Sequence, residues 1–317
     1  MAHKAPGKYY RKGVTLLELT RMFPDDATAE RWFVKTLWPK GPVCPHCGSL
    51  NIQERPTRKP QPYRCRDCRR DFSVKTGSLM HGSKLGCRTW AFAIYLLTTG
   101  IKGVSSMKLH RDLGVTQKTA WFLAHRIREN FETISVPFRG PVEVDETYFG
   151  GRRKNMSNAK RQEIRKTVGG RGAVGKTAVA GAKDRHTNQV RAEVVTATDR
   201  ATLHPFVGAS AAPGAKVFTD DARAYHGMPF DHETVKHSVS QYVNGMAHTN
   251  GIESFWALLK RGYHGTYHHV SEKHLGRYVD EFSGRFNSRD RDTLDQMALI
   301  ARGLSGKRLR YCDLISG

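Results

Sequence analysis

Between Val14 and Trp38 the apolar residues recur every three or four positions, first in LLELTRMF and then in ATAERWFVKTLW, with Asp25 and Asp26 between the runs. That spacing lines one face of a helix, and a carboxylate ahead of the second run can cap its free amides. Pro39, Gly41 and Pro42 close the helical stretch. From Gly86 to Asn130 the helical period returns in three runs: WAFAIYLLTTG, SSMKLHRDLG and, after Val115, TQKTAWFLAHRIREN. The first two end on glycine, a usual helix terminator, and the second opens on serines that can cap it. Pro137–Pro141, PFRGP, is a suitable domain boundary. Beyond it the period changes. VEVDETYFG reads as a strand, Ala178–Ala182 and Val190–Thr196 as a hairpin, Asp199–Val207 as a helix, AKVFTD as a strand, and the chain from about Asn250 as an amphipathic helix. Gly151–Gly175, rich in lysine, arginine and glycine, reads as a basic loop between the first strand and the hairpin.

These signals predict a multidomain α+β protein. N-terminal helices occupy 1–42, a small cysteine-bearing domain 43–80, a helix-turn-helix segment 84–135, a C-terminal α/β domain 140–300 and a tail 301–317. In the small domain Cys44-Pro-His-Cys47 and Cys65-Arg-Asp-Cys68 are separated by 17 residues (65 − 47 − 1). Two such knuckles present four thiolates to one tetrahedral Zn²⁺, and four thiolates leave no open position for water, so this zinc is structural. Cys87 and Cys312 belong to neither knuckle and read as ordinary residues. In the helical segment the Gly-Val-Thr turn makes the third helix a recognition helix, starting near Thr116 and presenting Gln117 and Lys118 to DNA.

Charge narrows the partner. The 317 residues include 52 Lys and Arg against 29 Asp and Glu, a formal charge of +23, and the pI is near 10.0. Such an excess favours a polyanion, first of all double-stranded DNA, because each neutralised phosphate releases counterions. The N-terminus lacks the apolar core of a signal peptide, and the longest apolar run, Trp90–Leu97, is far too short to span a bilayer. The expectation is a cytoplasmic, nucleoid-associated protein without a membrane partner.

Gly170–Thr177, GRGAVGKT, fits the phosphate-loop pattern G-x-x-x-x-G-K-[ST]. That loop binds nucleotide only when it leaves a buried strand and opens a helix. Here a polar run precedes it and a strand follows, so no nucleotide is expected, and Lys176 reads as a contact to a nucleic-acid backbone.

Three acids stand where chemistry could use them: Asp145 inside VEVDETYF, Asp220 at the end of KVFTD, and Glu253 in HTNGIESFWALLKRGY. A charge within a strand must be at an edge, paired, or bound to a cation. In a sheet of three antiparallel strands followed by parallel ones, the middle of the first strand and the end of the fourth are neighbours, and a helix across the sheet can bring Glu253 to them. Three carboxylates at one point call for cations, read here as two Mg²⁺, which Mn²⁺ could replace. Lys260, seven residues after Glu253, shares its helix face and can contact a phosphate, with Arg261 beside it. Singly, each acid also reads as an edge charge, an N-cap or a solvated residue. His264, His268, His269 and His274 fit no established zinc spacing. They read as DNA-proximal or packing residues, and Trp256, Tyr263 and Tyr267 as core aromatics.

VEVDETYFGG, FTDDARAYHG and the long run from His248 to Asp290, together with the zinc ribbon, resemble the DDE transposases of bacterial insertion sequences, specifically insertion-sequence family 1595 (ISXO-like). The resemblance covers nearly the whole chain. It implies a ribonuclease H-like catalytic domain, Mg²⁺-dependent cutting at element ends and strand transfer into target DNA, in a homodimer or larger synaptic complex. Carried over by position, Asp145, Asp220 and Glu253 are the three acids and Lys260 the following lysine. TDD leaves Asp221 as a second choice beside Asp220. A nuclease of the same fold that cuts without joining and a zinc-ribbon regulator that binds without cutting are the rival readings.

Overall fold

The computed structural model describes residues 11–131, 136–151, 156–168, 175–235 and 248–316. The chain divides into two compact units, Met1–Phe131 with Ser288–Gly317, and Glu132–Asn287.

The first unit opens with α1 (Leu16–Met22) and α2 (Asp26–Leu37). Thr15 and Glu18 form a capping box on α1, and the Asp25 carboxylate accepts the Thr28 amide at the start of α2. A three-stranded antiparallel sheet follows: β1 (Ile52–Glu54), β2 (Tyr63–Cys65) and β3 (Asp71–Phe72). Three helices come next. They are α3 (Cys87–Thr99), α4 (Ser106–Leu113) and α5 (Gln117–Arg128), with Ser105 and Thr116 as N-caps of the last two and Gly114 in the left-handed conformation between them. Trp90, Ile94, Leu97, Leu109, Leu123 and Ile127 bury the faces expected from their spacing.

The second unit holds a five-stranded sheet. β4 (Val142–Phe149) is followed by α6 (Asn158–Val168), so the segment read from sequence as a basic loop contains a helix. The run is so polar and basic that no apolar stripe betrays it. The first glycines of GRGAVGKT lie outside the described residues, and Lys176 immediately precedes β5 (Thr177–Asp184). Then come β6 (Val190–Val195), α7 (Arg200–Ser210), β7 (Lys216–Asp220), β8 (Asp231–Val235), α8 (Asn250–Gly262), a π-turn at Tyr263–Tyr267 and α9 (Glu272–Asn287).

The strand order is β6-β5-β4-β7-β8, with β5 antiparallel to both β4 and β6 and with β7 parallel to both β4 and β8. Even-numbered β4 residues Val142 and Val144 pack with Leu203, Phe206 and Val207 of α7. Phe149 belongs with Ile252, Phe255, Trp256 and Leu259 of α8 and Val279 of α9. The strand period of two therefore turns Glu143 and Asp145 toward the α8 face and Glu146 toward the α7 face.

The chain ends with α10 (Thr293–Gly303) and α11 (Tyr311–Ile315). Both belong to the first unit, where Met297, Ile300 and Leu314 join its core. The division expected from sequence, with 140–300 in one α/β domain and 301–317 as a tail, differs from this. Apolar positions in α10 and α11 draw residues after Asn287 into the helical unit instead. No described helix is long and apolar enough to cross a membrane.

Candidate active site and zinc centre

The two cysteine knuckles are built alike. Gly48 follows the first with φ 76° and Arg69 follows the second with φ 58°, so each chain reverses through the left-handed region directly after its second cysteine. Gly48 donates its amide to the Cys44 carbonyl, and Cys68 donates its amide to Cys65 Sγ at 3.5 Å. Across the pair, Cys44 and Cys68 Sγ are 3.6 Å apart, as are Cys47 and Cys65 Sγ, and all four sulfurs lie within 4.8 Å of one another. A disulfide requires about 2.05 Å. A tetrahedron with Zn–S bonds of about 2.3 Å has edges of about 3.8 Å, close to these separations. The Cys68 amide lowers the Cys65 thiol, while burial and the neighbouring thiols raise that of Cys47. Tyr63 and Phe72 stack at 5.5 Å, and Trp38 meets both rings edge-on, giving the small sheet an aromatic base. Cys87 lies in the helical core and Cys312 is exposed.

In the segment expected to be a helix-turn-helix, Gln117 and Lys118 are exposed at the start of α5. Both also make internal contacts: Gln117 Nε2 donates to Ser106 Oγ at 2.9 Å, and the Lys118 ammonium sits 4.5 Å from the Tyr311 ring centre. Arg126, further along α5, points inward and donates to the Leu309 and His81 carbonyls.

In the second unit the register of β4 on β7 pairs Val142 with Val217 and Glu143 with Phe218, an offset of 75 residues. Asp145 and Asp220 are also 75 apart (220 − 145) and lie two residues beyond the last paired positions of their strands, near enough for the Asp220 charge to act on the Asp145 carboxyl. Asp220 closes its strand and accepts the Ala222 amide at 3.1 Å. Asp221 is exposed and stands 3.8 Å from His226.

Helix α8 lies against β4 and β5. Trp256 Nε1 donates to Asp145 Oδ2 at 3.0 Å, and the indole covers Gly181, the β5 partner of Asp145. A Cβ on Gly181 would stand 2.5 Å from the Trp256 ring, so only glycine admits this approach. Glu253, in the first turn of α8, accepts from Thr249 Oγ1 at 2.8 Å. Glu253 and Lys260 are both exposed, two turns apart on the same side, with Arg261 exposed next to Lys260. Lys176 is likewise exposed.

Burial pushes Asp145 up from its ordinary 3.8 to about 7, helped by negative charge on Glu146, Asp220 and Glu253. The three sequence-predicted acids thus share one electrostatic neighbourhood. Their oxygens do not close as the four sulfurs do: among the described residues the four cysteines alone form a group of three or more whose ligand atoms all lie within 4.8 Å of one another.

Sequence reading passes over several neighbours. Glu146 accepts from the buried Tyr225 hydroxyl at 2.6 Å and is itself raised by burial. Glu143 is buried beside Arg185. Trp256 is the core aromatic expected from sequence, but its indole N–H also serves Asp145. The glutamates flanking Asp145 are the available signal, since VEVDE carries two of them where a buried strand normally carries none.

Residues 137–287 match the ISXO2-like transposase domain, and residues 24–71 match the transposase zinc-ribbon domain. The chain is 27% identical over 279 residues to a Halobacterium salinarum protein described as an uncharacterized protein in transposable element ISH50. The similarity spans 84% of this chain and 92% of that protein. A zinc ribbon joined in one chain to an ISXO2-like domain, with a relative of nearly full length from a transposable element, identifies a member of the insertion-sequence transposases of family 1595.

Proposed function

We propose that this transposase binds the terminal inverted repeats of its insertion sequence, cleaves DNA at the element ends and transfers the resulting 3′-hydroxyls into target DNA. The observation that carries the proposal is that Asp145 and Asp220 lie on the neighbouring parallel strands β4 and β7, each two residues past the last paired positions, while α8, the helix that bears Glu253, bonds to Asp145 through Trp256. Three antiparallel strands followed by two parallel ones, with helices on both faces, support a ribonuclease H-like fold.

The donor set fits divalent cations. Burial first, and then the negative charges of Glu146, Asp220 and Glu253, raise the Asp145 carboxyl to about 7, and a cation would restore its ionised form. Asp145, Asp220 and Glu253 would hold two Mg²⁺, which when bound activate the attacking oxygen and stabilise the leaving one. The Trp256 indole fixes the rotamer of Asp145 and shields one side of it from water. Lys260, on the exposed side of α8 with Glu253, would neutralise a phosphate of the reacting strand, with Arg261 and Lys176 contacting the backbone nearby. Gln117 and Lys118 would read the terminal repeat from α5, released from their contacts to Ser106 and Tyr311. The ribbon's zinc would hold its fold and take no part in the chemistry. Acting on two ends at once favours a homodimer or larger assembly formed on DNA.

Labelled DNA carrying the ends of the element, incubated with the protein and Mg²⁺ or Mn²⁺, tests the reading. Cleaved ends and joined products, both lost in Asp145→Asn and Glu253→Gln, are the expected result. Cleavage without joining would instead indicate a nuclease, binding without either a zinc-ribbon regulator, and activity retained in both variants would remove the proposed active site.

A further inference from the structure

Glu143 precedes Asp145 by two residues in β4 and shares its strand face. It is 1% exposed, a strongly unfavourable place for a carboxylate unless partners compensate it. Its Oε2 accepts the Ile252 amide in the first turn of α8 at 2.9 Å, and Asp145 Oδ2 accepts the Trp256 indole at 3.0 Å. Ile252 and Trp256 are four residues apart, a helical rise of about 6 Å. Two strand residues span about 6.6 Å. The matched spacing pins α8 to one strand at two points, and Glu253 follows the first pin by one residue.

Arg185 locks this pin from the other side. Its Nε donates to Glu143 Oε1 at 2.8 Å, and a terminal guanidinium nitrogen donates to the His248 carbonyl at 2.5 Å, just before the N-cap Thr249. The guanidinium also lies 4.1 Å from the Phe218 ring centre, on the strand that ends at Asp220. Gly251 makes room, because a Cβ there would stand 2.5 Å from Glu143 Oε2 and 2.6 Å from Lys183 Nζ. A buried ion pair is a weak device for stability, since well-packed apolar residues often replace it without loss. This pair touches the strand of Asp145, the strand of Asp220 and the start of the helix of Glu253.

We propose that Glu143, held by Arg185, is a positioning residue that sets the first turn of α8 and so places Glu253 against Asp145 and Asp220. The inference rests on the reading of those three carboxylates as the metal-binding set. Partners that orient metal ligands typically change metal affinity by about 10–100-fold when removed.

The test measures Mn²⁺ binding by electron paramagnetic resonance on the full chain with its zinc in place. It compares the wild-type protein with Glu143→Gln, Gly251→Ala, Asp145→Asn and Glu253→Gln. Glu143→Gln removes the buried charge that opposes Arg185 and can fail to fold. Gly251→Ala keeps both charges and favours helix, yet moves Glu143 off the Ile252 amide. Both are expected to raise the Mn²⁺ concentration for half-saturation by about 10–100-fold, with zinc content and DNA affinity unchanged. Wild-type half-saturation in folded Gly251→Ala overturns the positioning role while leaving the metal site intact. Wild-type binding in both Asp145→Asn and Glu253→Gln, or no Mn²⁺ binding by the wild-type protein, overturns the metal site and this inference with it.

Discussion

Replacing Asp145 by asparagine should abolish activity and, in the absence of divalent metal, stabilise the fold. The new amide would keep an oxygen to accept from the Trp256 indole while losing the charge opposed by burial, Glu146, Asp220 and Glu253. The carboxyl is raised from 3.8 to about 7. Well below pH 3.8 it is protonated in both folded and unfolded chains and costs nothing. As pH rises through this window the unfolded chain ionises first, so stability falls, and the loss is complete above about pH 7. A shift of about three units at roughly 1.36 kcal/mol each sets a ceiling of about 4 kcal/mol. Half of that moves the melting point of a domain of this size by roughly 4–8 °C. The assay is thermal unfolding of zinc-loaded, Mg²⁺-free protein at about pH 8, above the window, and about pH 4.5, near its lower edge. Asp145→Asn should melt higher at the alkaline pH and lose most of that advantage at the acidic one, and added Mg²⁺ should raise the wild-type protein alone. A variant that melts lower than wild type at the alkaline pH, or higher by the same margin at both, would refute the electrostatic argument.

Gly181→Ala should cost about 1–3 kcal/mol by denaturant titration, because its Cβ would overlap the Trp256 ring that covers Asp145; an unchanged midpoint would show that the indole is free to move. Cys65→Ser should remove one zinc per chain by elemental analysis and unfold the ribbon, since three remaining thiolates no longer close the tetrahedron. Lys260→Ala should weaken DNA binding alike for all sequences and reduce the slope of log affinity against log salt by about 1.

The zinc ribbon and the strand that carries Asp145 are legible in the sequence because their signals are local. Two CxxC knuckles announce their ligand, and an apolar strand holding Asp145 announces a charge in need of a partner. The hairpin β5–β6 is plain for the same reason, as apolar residues flank a polar turn. Strand β8 escapes sequence reading because DHETV has one apolar residue and reaches its place only by pairing with β7. Helix α6 is hidden by its composition, in which charge supplies no stripe. The Glu143–Arg185 anchor joins positions 42 residues apart and emerges only when β4, the end of β5 and α8 meet. The same holds for Tyr225 and Glu146, 79 residues apart. Such pairings are set by tertiary packing, and no periodicity in the chain encodes them.

A metal-specificity switch at Asp220 tests the central claim most directly. A thiolate ligand suits Mn²⁺ and softer ions better than Mg²⁺. Asp220→Cys should therefore be inactive in end cleavage with Mg²⁺ and recover with Mn²⁺, whereas Asp221→Cys should behave as wild type with either ion. Full activity of Asp220→Cys in Mg²⁺ would show that Asp220 holds no catalytic metal and would dismantle the active site built on Asp145, Asp220 and Glu253.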